Sequence, residues 1–102
     1  MGGWTYILAS APFGTLYVGV TNNLSRRVWE HREGVGSEFC KRYGVNRLVY
    51  AEPFSEIVAA IAHEKRLKRW PRRWNIALVE RTNPGWDDLY ERINEYGMWS
   101  PI

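Results

Sequence analysis

Two short apolar runs decide the fold: Trp4-Thr5-Tyr6-Ile7-Leu8-Ala9-Ser10 and Thr15-Leu16-Tyr17-Val18-Gly19-Val20, each carrying one tyrosine. The turn-forming stretch Ala11-Pro12-Phe13-Gly14 separates them. β-branched and aromatic residues bounded by Pro and Gly predict a hairpin with a loop longer than the tightest types. Thr21-Asn22-Asn23 then offers helix caps, and a helix to about residue 33 should stop at Gly34 and Gly36. At 100° per residue, Leu24, Arg27, Val28 and His31 fall within one arc of about 100°, the stripe that faces the sheet. An arginine and a histidine aimed at two strand tyrosines can serve chemistry. They can also be a boundary arginine snorkelling past the core and a satisfied buried histidine.

Outward from the hairpin, Met1-Gly2-Gly3 reads as a frayed start, and residues 35–43 as a polar loop or short helix with Lys41 and Arg42. Residues 46–54 read as a third strand ended by Pro53. Ser55 is the expected N-cap, with Glu56 in the first turn, of a helix running to about Trp70 and ended by Pro71. Ile57, Ala60, Ile61, Glu64 and Leu67 share one face of that helix, with Glu64 near its centre. A carboxylate in an apolar stripe is costly unless it is paired or binds a cation. Two roles stand open for Glu64: a structural pair with Arg27 or another arginine, or a metal-binding or catalytic group. Lys65-Arg66-Leu67-Lys68-Arg69-Trp70-Pro71-Arg72-Arg73-Trp74-Asn75 places six cations among two tryptophans. That combination favours phosphate contacts over a merely solvated face. Residues 73–81 read as a further helix. Asn83-Pro84 opens a last one, about 84–96, with the stripe Trp86, Leu89, Tyr90 and Ile93 and a stop at Gly97.

The chain of 102 residues reads as a single domain over 1–102, with a core of about 4–84. One cysteine, Cys40, excludes an internal disulfide, and with two histidines it argues against structural zinc. A reducing cytoplasm is the expected compartment, since no signal peptide or membrane span is visible. Twelve of the fourteen Lys and Arg lie between Arg26 and Arg73, against six acids, while Asp87, Asp88, Glu91 and Glu95 crowd the end. A basic middle points to a polyanionic partner.

These groups suit phosphodiester hydrolysis. A lone carboxylate fits Mg²⁺, which keeps most of its waters and takes substrate phosphate as a further ligand. Arginine is a planar, always-charged fork for a phosphate oxygen. A tyrosine, with a reference pKa near 10, can act as a base where a nearby cation lowers it.

In this pattern the sequence resembles the GIY-YIG nuclease family over roughly residues 4–84, and its small stand-alone bacterial members in particular. Trp4-Thr5-Tyr6 stands for the first signature, with Trp4 in place of the glycine, and Tyr17-Val18-Gly19 for the second. Arg27 lies ten positions after Tyr17, and His31 and Glu64 sit where the family carries them. Gly14 to Thr21, Lys41 to Val45 and the Asn83-Pro84-Gly85-Trp86 tail match the stand-alone members. The resemblance implies an α/β (α+β) fold, a small three-stranded antiparallel sheet flanked by helices. It implies one-metal hydrolysis of DNA with Mg²⁺ or Mn²⁺. Tyr17 would activate water beside Tyr6, and Gly19 would permit close backbone approach. Arg27 would stabilise the transition state, His31 would assist proton transfer or positioning, and Glu64 would hold the metal. Lys41, Arg66, Lys68, Arg69, Arg72, Arg73 and Asn75 are the expected nucleic-acid contacts. Branched, nicked and single-stranded DNA are all admitted as substrates, in a repair setting, by a monomer or weak dimer. With no room for a separate recognition domain, specificity would be low, structure-based or lent by a protein partner. The alternative is a nucleic-acid-binding module without significant catalysis.

Overall fold

A computed structural model describes residues 1–92. Three strands, Gly3–Ala9 (β1), Leu16–Thr21 (β2) and Arg47–Phe54 (β3), form one antiparallel sheet in the order β2-β1-β3. Helices Leu24–Arg32 (α1) and Glu38–Tyr43 (α2) follow β2, and Ile57–Arg69 (α3) and Arg72–Thr82 (α4) follow β3. This is the expected α+β architecture.

Strand alternation assigns the two faces. Tyr6 and Leu8 pack with Leu24, Val28, Cys40 and Leu48 beneath α1 and α2. Ile7 and Ala9 pack with Val18, Val49, Leu67, Leu78, Val79 and Trp86 beneath α3 and α4. The central strand is buried on both sides, which explains its unbroken apolar run. Thr5, fully buried among these residues, satisfies its hydroxyl by donating to the Ala60 carbonyl at 2.8 Å.

Asn23 caps α1 through its side chain, accepting from the Arg26 amide at 3.2 Å. The open choice at residues 35–43 resolves to a short helix, with Ser37 at its N-cap and Gly44 left-handed at its end. Four expectations are corrected. Met1 is tied down, because its carbonyl accepts from the Ile57 amide at 2.7 Å. Glu56, and not Ser55, is the N-cap of α3, with no side-chain cap bond. Pro53 lies inside β3, which tolerates it as an edge strand. The last helix does not open at Pro84. Asn83 instead folds residues 83–87 into a turn, accepting from the Asp87 amide and donating to the Val49 and Asp87 carbonyls. Trp86, at φ 54°, is buried against Phe13, and helix begins only near Tyr90. Ile93, the stop at Gly97 and the rest of the expected helix lie outside the described residues.

Candidate active site

Register places the two tyrosines on the same face. Tyr6 opposes Gly19 and Leu8 opposes Tyr17. Gly19 is required there by a side chain: a Cβ would overlap the ring and hydroxyl of Tyr6. The close approach expected at Gly19 is therefore made by the protein's own phenol.

From α1, Leu24, Val28 and His31 turn inward as the wheel predicts, and His31 is 3% exposed. Arg27, expected on the same stripe, stays at the rim because its charge is paired with Glu30 on its own helix. Its Nε2 is hydrogen-bonded to Tyr6 Oη at 3.1 Å, and its ring meets Tyr17 edge-on at 5.4 Å. Gly36 lets the loop after α1 close over the imidazole, since a Cβ there would come 2.8 Å from Nδ1. That nitrogen is buried and has no hydrogen-bond partner among the described residues. Burial, then the Arg27 charge, lowers the His31 pKa against a weaker pull from Glu30. Burial, then Tyr17, raises that of Tyr6 against the nearby Arg27. Both groups are therefore neutral at physiological pH, and neither meets solvent.

Tyr17 and Arg27 are the reachable members of the set. Tyr17 is half-buried at the sheet edge, stacked on Phe39 of α2 at 6.3 Å. Arg27 lies at the rim, its side chain 42% exposed and paired with Glu30 at 3.3 Å. Glu64, on α3 across the sheet, keeps a side chain only 13% exposed and pairs with Lys68 at 2.8 Å. The structural pair with Arg27 is thus not formed. The apolar stripe around Glu64 is also narrower than expected, since Ala60 and Leu67 are buried but Ile61 is exposed.

A groove of about 610 Å³ crosses the outer edge of β2, which has no neighbouring strand among the described residues, and joins the two faces. Tyr17 and Phe39 line one wall, and Leu67, Lys68, Trp70, Arg72 and Asn75 the other. Glu64 stands one helical turn behind Lys68. Among the described residues no three His, Cys, Asp or Glu side chains cluster as a metal site. A single carboxylate nevertheless fits Mg²⁺, which relies on water and substrate oxygens for its remaining ligands.

The expected nucleic-acid contacts divide. Lys41, Arg66, Arg69 and Arg73 are exposed, Arg66 touching His63 Nδ1 at 3.4 Å. Lys68 is held by Glu64. Arg72 is committed to the hairpin loop, donating to the Phe13 and Gly14 carbonyls at 2.6 and 2.7 Å. Asn75 is buried and binds the Leu67 carbonyl at 3.0 Å, so its first task is to lock the α3–α4 turn. Its Oδ1 has no hydrogen-bond partner among the described residues. Phe39 is the groove residue that sequence reading passed over. Its spacing of four from Tyr43, whose ring it meets at 5.0 Å, was the available signal.

No described helix is long and apolar enough to cross a membrane. The family model for the GIY-YIG catalytic domain matches residues 2–77. A UPF0213 protein of Bacillus pumilus is 35% identical over 75 residues, 74% of this chain and 76% of that one. One from Natronomonas pharaonis is 36% identical over 76 residues, covering 74% and 88%. The solution NMR structure of a UPF0213 protein from Bacillus halodurans aligns with a TM-score of 0.55 at 28% identity, over 86% and 93% of the two chains. The chain belongs to the GIY-YIG family, and its function is of the nuclease type.

Proposed function

We propose that this GIY-YIG domain is a metal-dependent endonuclease that hydrolyses phosphodiester bonds in DNA. The observation that carries the proposal is the opening of the Tyr17–His31–Tyr6 cluster onto a groove bordered by Lys68, the partner of Glu64. Tyr17 is the tyrosine that can reach and activate an attacking water, because Tyr6 is sealed and held in its neutral form. Arg27, free to swing from Glu30, neutralises charge on a non-bridging phosphate oxygen as it builds in the transition state. His31 and Tyr6 are positioning residues that fix the Tyr17 ring from behind. Glu64 would hold Mg²⁺ or Mn²⁺, which supplies Lewis-acid neutralisation of the phosphate. Lys68 would then pass from the carboxylate to a substrate phosphate. Lys41, Arg66, Arg69 and Arg73 provide the sequence-independent hold on the backbone. The setting is a reducing cytoplasm, where buried Cys40 stays a thiol, and DNA repair is the process served.

The Glu64–Lys68 pair favours a second reading, a binding module in which the carboxylate is permanently neutralised. One experiment separates them. Supercoiled plasmid, single-stranded and branched DNA are incubated with Mg²⁺, Mn²⁺ or EDTA, using wild type, Glu64→Gln and Arg27→Ala. Metal-dependent cleavage reduced by about 10²-fold or more in both variants, with DNA binding retained, is expected. Equal binding with no cleavage by any of the three proteins establishes the binding module.

A further inference from the structure

A second hollow, of about 330 Å³, lies beside the groove and is lined by Trp70, Trp74, Ala77, Leu78 and Arg81. We infer that it receives one unpaired nucleobase of the strand being cut. The inference rests on the nuclease reading for the identity of that strand.

Trp70 and Trp74 meet edge-to-face, with ring centroids 5.7 Å apart and planes 77° from parallel. A planar ring stacked on one therefore turns its edge to the other. Trp74 is 49% exposed, whereas Trp86 is fully buried. Trp70 lines the Tyr17 groove as well, so the hollow and the candidate active site share this side chain as a wall. Charge selects the occupant. Arg69 and Arg73 flank the tryptophans in sequence, Arg81 lines the hollow, and none of the three forms an ion pair among the described residues. Cations around an aromatic slot suit phosphates on either side of a stacked base. A base inside a regular duplex presents no open face, so only an unpaired or extruded nucleotide can enter.

The full chain is tested in EDTA, so that binding is read without cleavage. The probes are a perfect duplex, the same duplex with a single-nucleotide bulge of 2-aminopurine, and one with an abasic bulge. The 2-aminopurine bulge is expected to bind about tenfold tighter than the other two, with its fluorescence changed on binding. Trp74→Ala should remove both the preference and the fluorescence change while leaving perfect-duplex affinity in place and the protein folded at the assay temperature. Trp74→Phe should restore part of the preference. Equal affinity for all three probes, or a preference that survives Trp74→Ala, overturns the inference. So does displacement of the bulge probe by an acidic peptide but not by nucleoside monophosphates. Plasmid cleavage without any bulge preference removes only the base-binding hollow. A bulge preference without cleavage leaves the hollow standing and removes the nuclease reading.

Discussion

On the α1 face of the sheet, Tyr6 and His31 are sealed from solvent, neutral and bonded to each other. On the α3 side, Glu64 and Lys68 are charged, paired and next to an open groove. The first arrangement is a preorganised scaffold, because buried polar groups in low dielectric tolerate few alternative partners. The second is an exchangeable contact, since a partly exposed ion pair i,i+4 on a helix contributes only a few tenths of a kcal/mol, roughly 0.3–0.5. A divalent ion or a phosphate can therefore displace one member at small cost. Rigidity is concentrated behind Tyr17, and adaptability is concentrated where ligand would bind.

The sharpest way to break this contrast is at Gly19. Gly19→Ala drives a methyl into Tyr6 while His31 holds that ring from the other side, and is expected to cost about 2–3 kcal/mol. A thermal midpoint lower by roughly 8–20 °C follows from the usual scaling for a domain of this size. An unchanged midpoint would show that the Tyr6 cluster is not rigid. Tyr6→Phe should cost about 1–2 kcal/mol, because His31 Nε2 then joins Nδ1 in having no partner. Urea denaturation measures it. On the other face, the two classes of arginine should separate. Arg72→Ala loosens the hairpin loop by about 0.5–1 kcal/mol and leaves the salt dependence of DNA binding intact. Arg69→Ala or Arg73→Ala leaves stability intact and lowers the salt slope by about one each. Identical behaviour of all three would erase the distinction.

The smallest effect is that of pH. His31 and His63 both have lowered folded-state pKa values, chiefly through burial. Their unfolded forms therefore bind protons first as pH falls below about 6.5, so stability decreases from that pH downward. For His63, Glu52 opposes the shift and Arg66 reinforces it, while the Tyr50 hydroxyl lies 3.1 Å from the ring. Denaturation at pH 7.5 and 5.5 should show lower stability at the acid value, and a flat profile would refute the neutral-histidine description.

How much was legible follows the same division. The hairpin, a helix cap within residues 21–23 and three of the four stripe positions of α1 were readable because their determinants lie within a few residues of one another. The inward turn of His31 followed from periodicity, but its bond to Tyr6 needed the strand register. The partner of Glu64 was not readable. Arg27 found Glu30 one turn away on its own helix, and Glu64 found Lys68 in the same manner, so local pairs displaced the long-range one. Arg72 looked like its neighbours in the basic run, and only the tertiary path of the hairpin loop, 58 residues earlier, sets it apart. The onset of the last helix is not legible at Asn83-Pro84 because Asn83 uses its side chain for a turn against β3, a competition with helix that Asn enters readily.

The sheet has two unequal borders. Along β3, Pro53 removes a backbone donor, and an irregularity in register opposite Ile7 and Leu8 disturbs the ladder. β2 contains neither proline nor a charged side chain, and its outer side borders the Tyr17 groove. An extended strand seeking a template is therefore directed to β2. Self-association through that edge would cover Tyr17, so crowding would compete with any ligand of the groove for one border of the sheet.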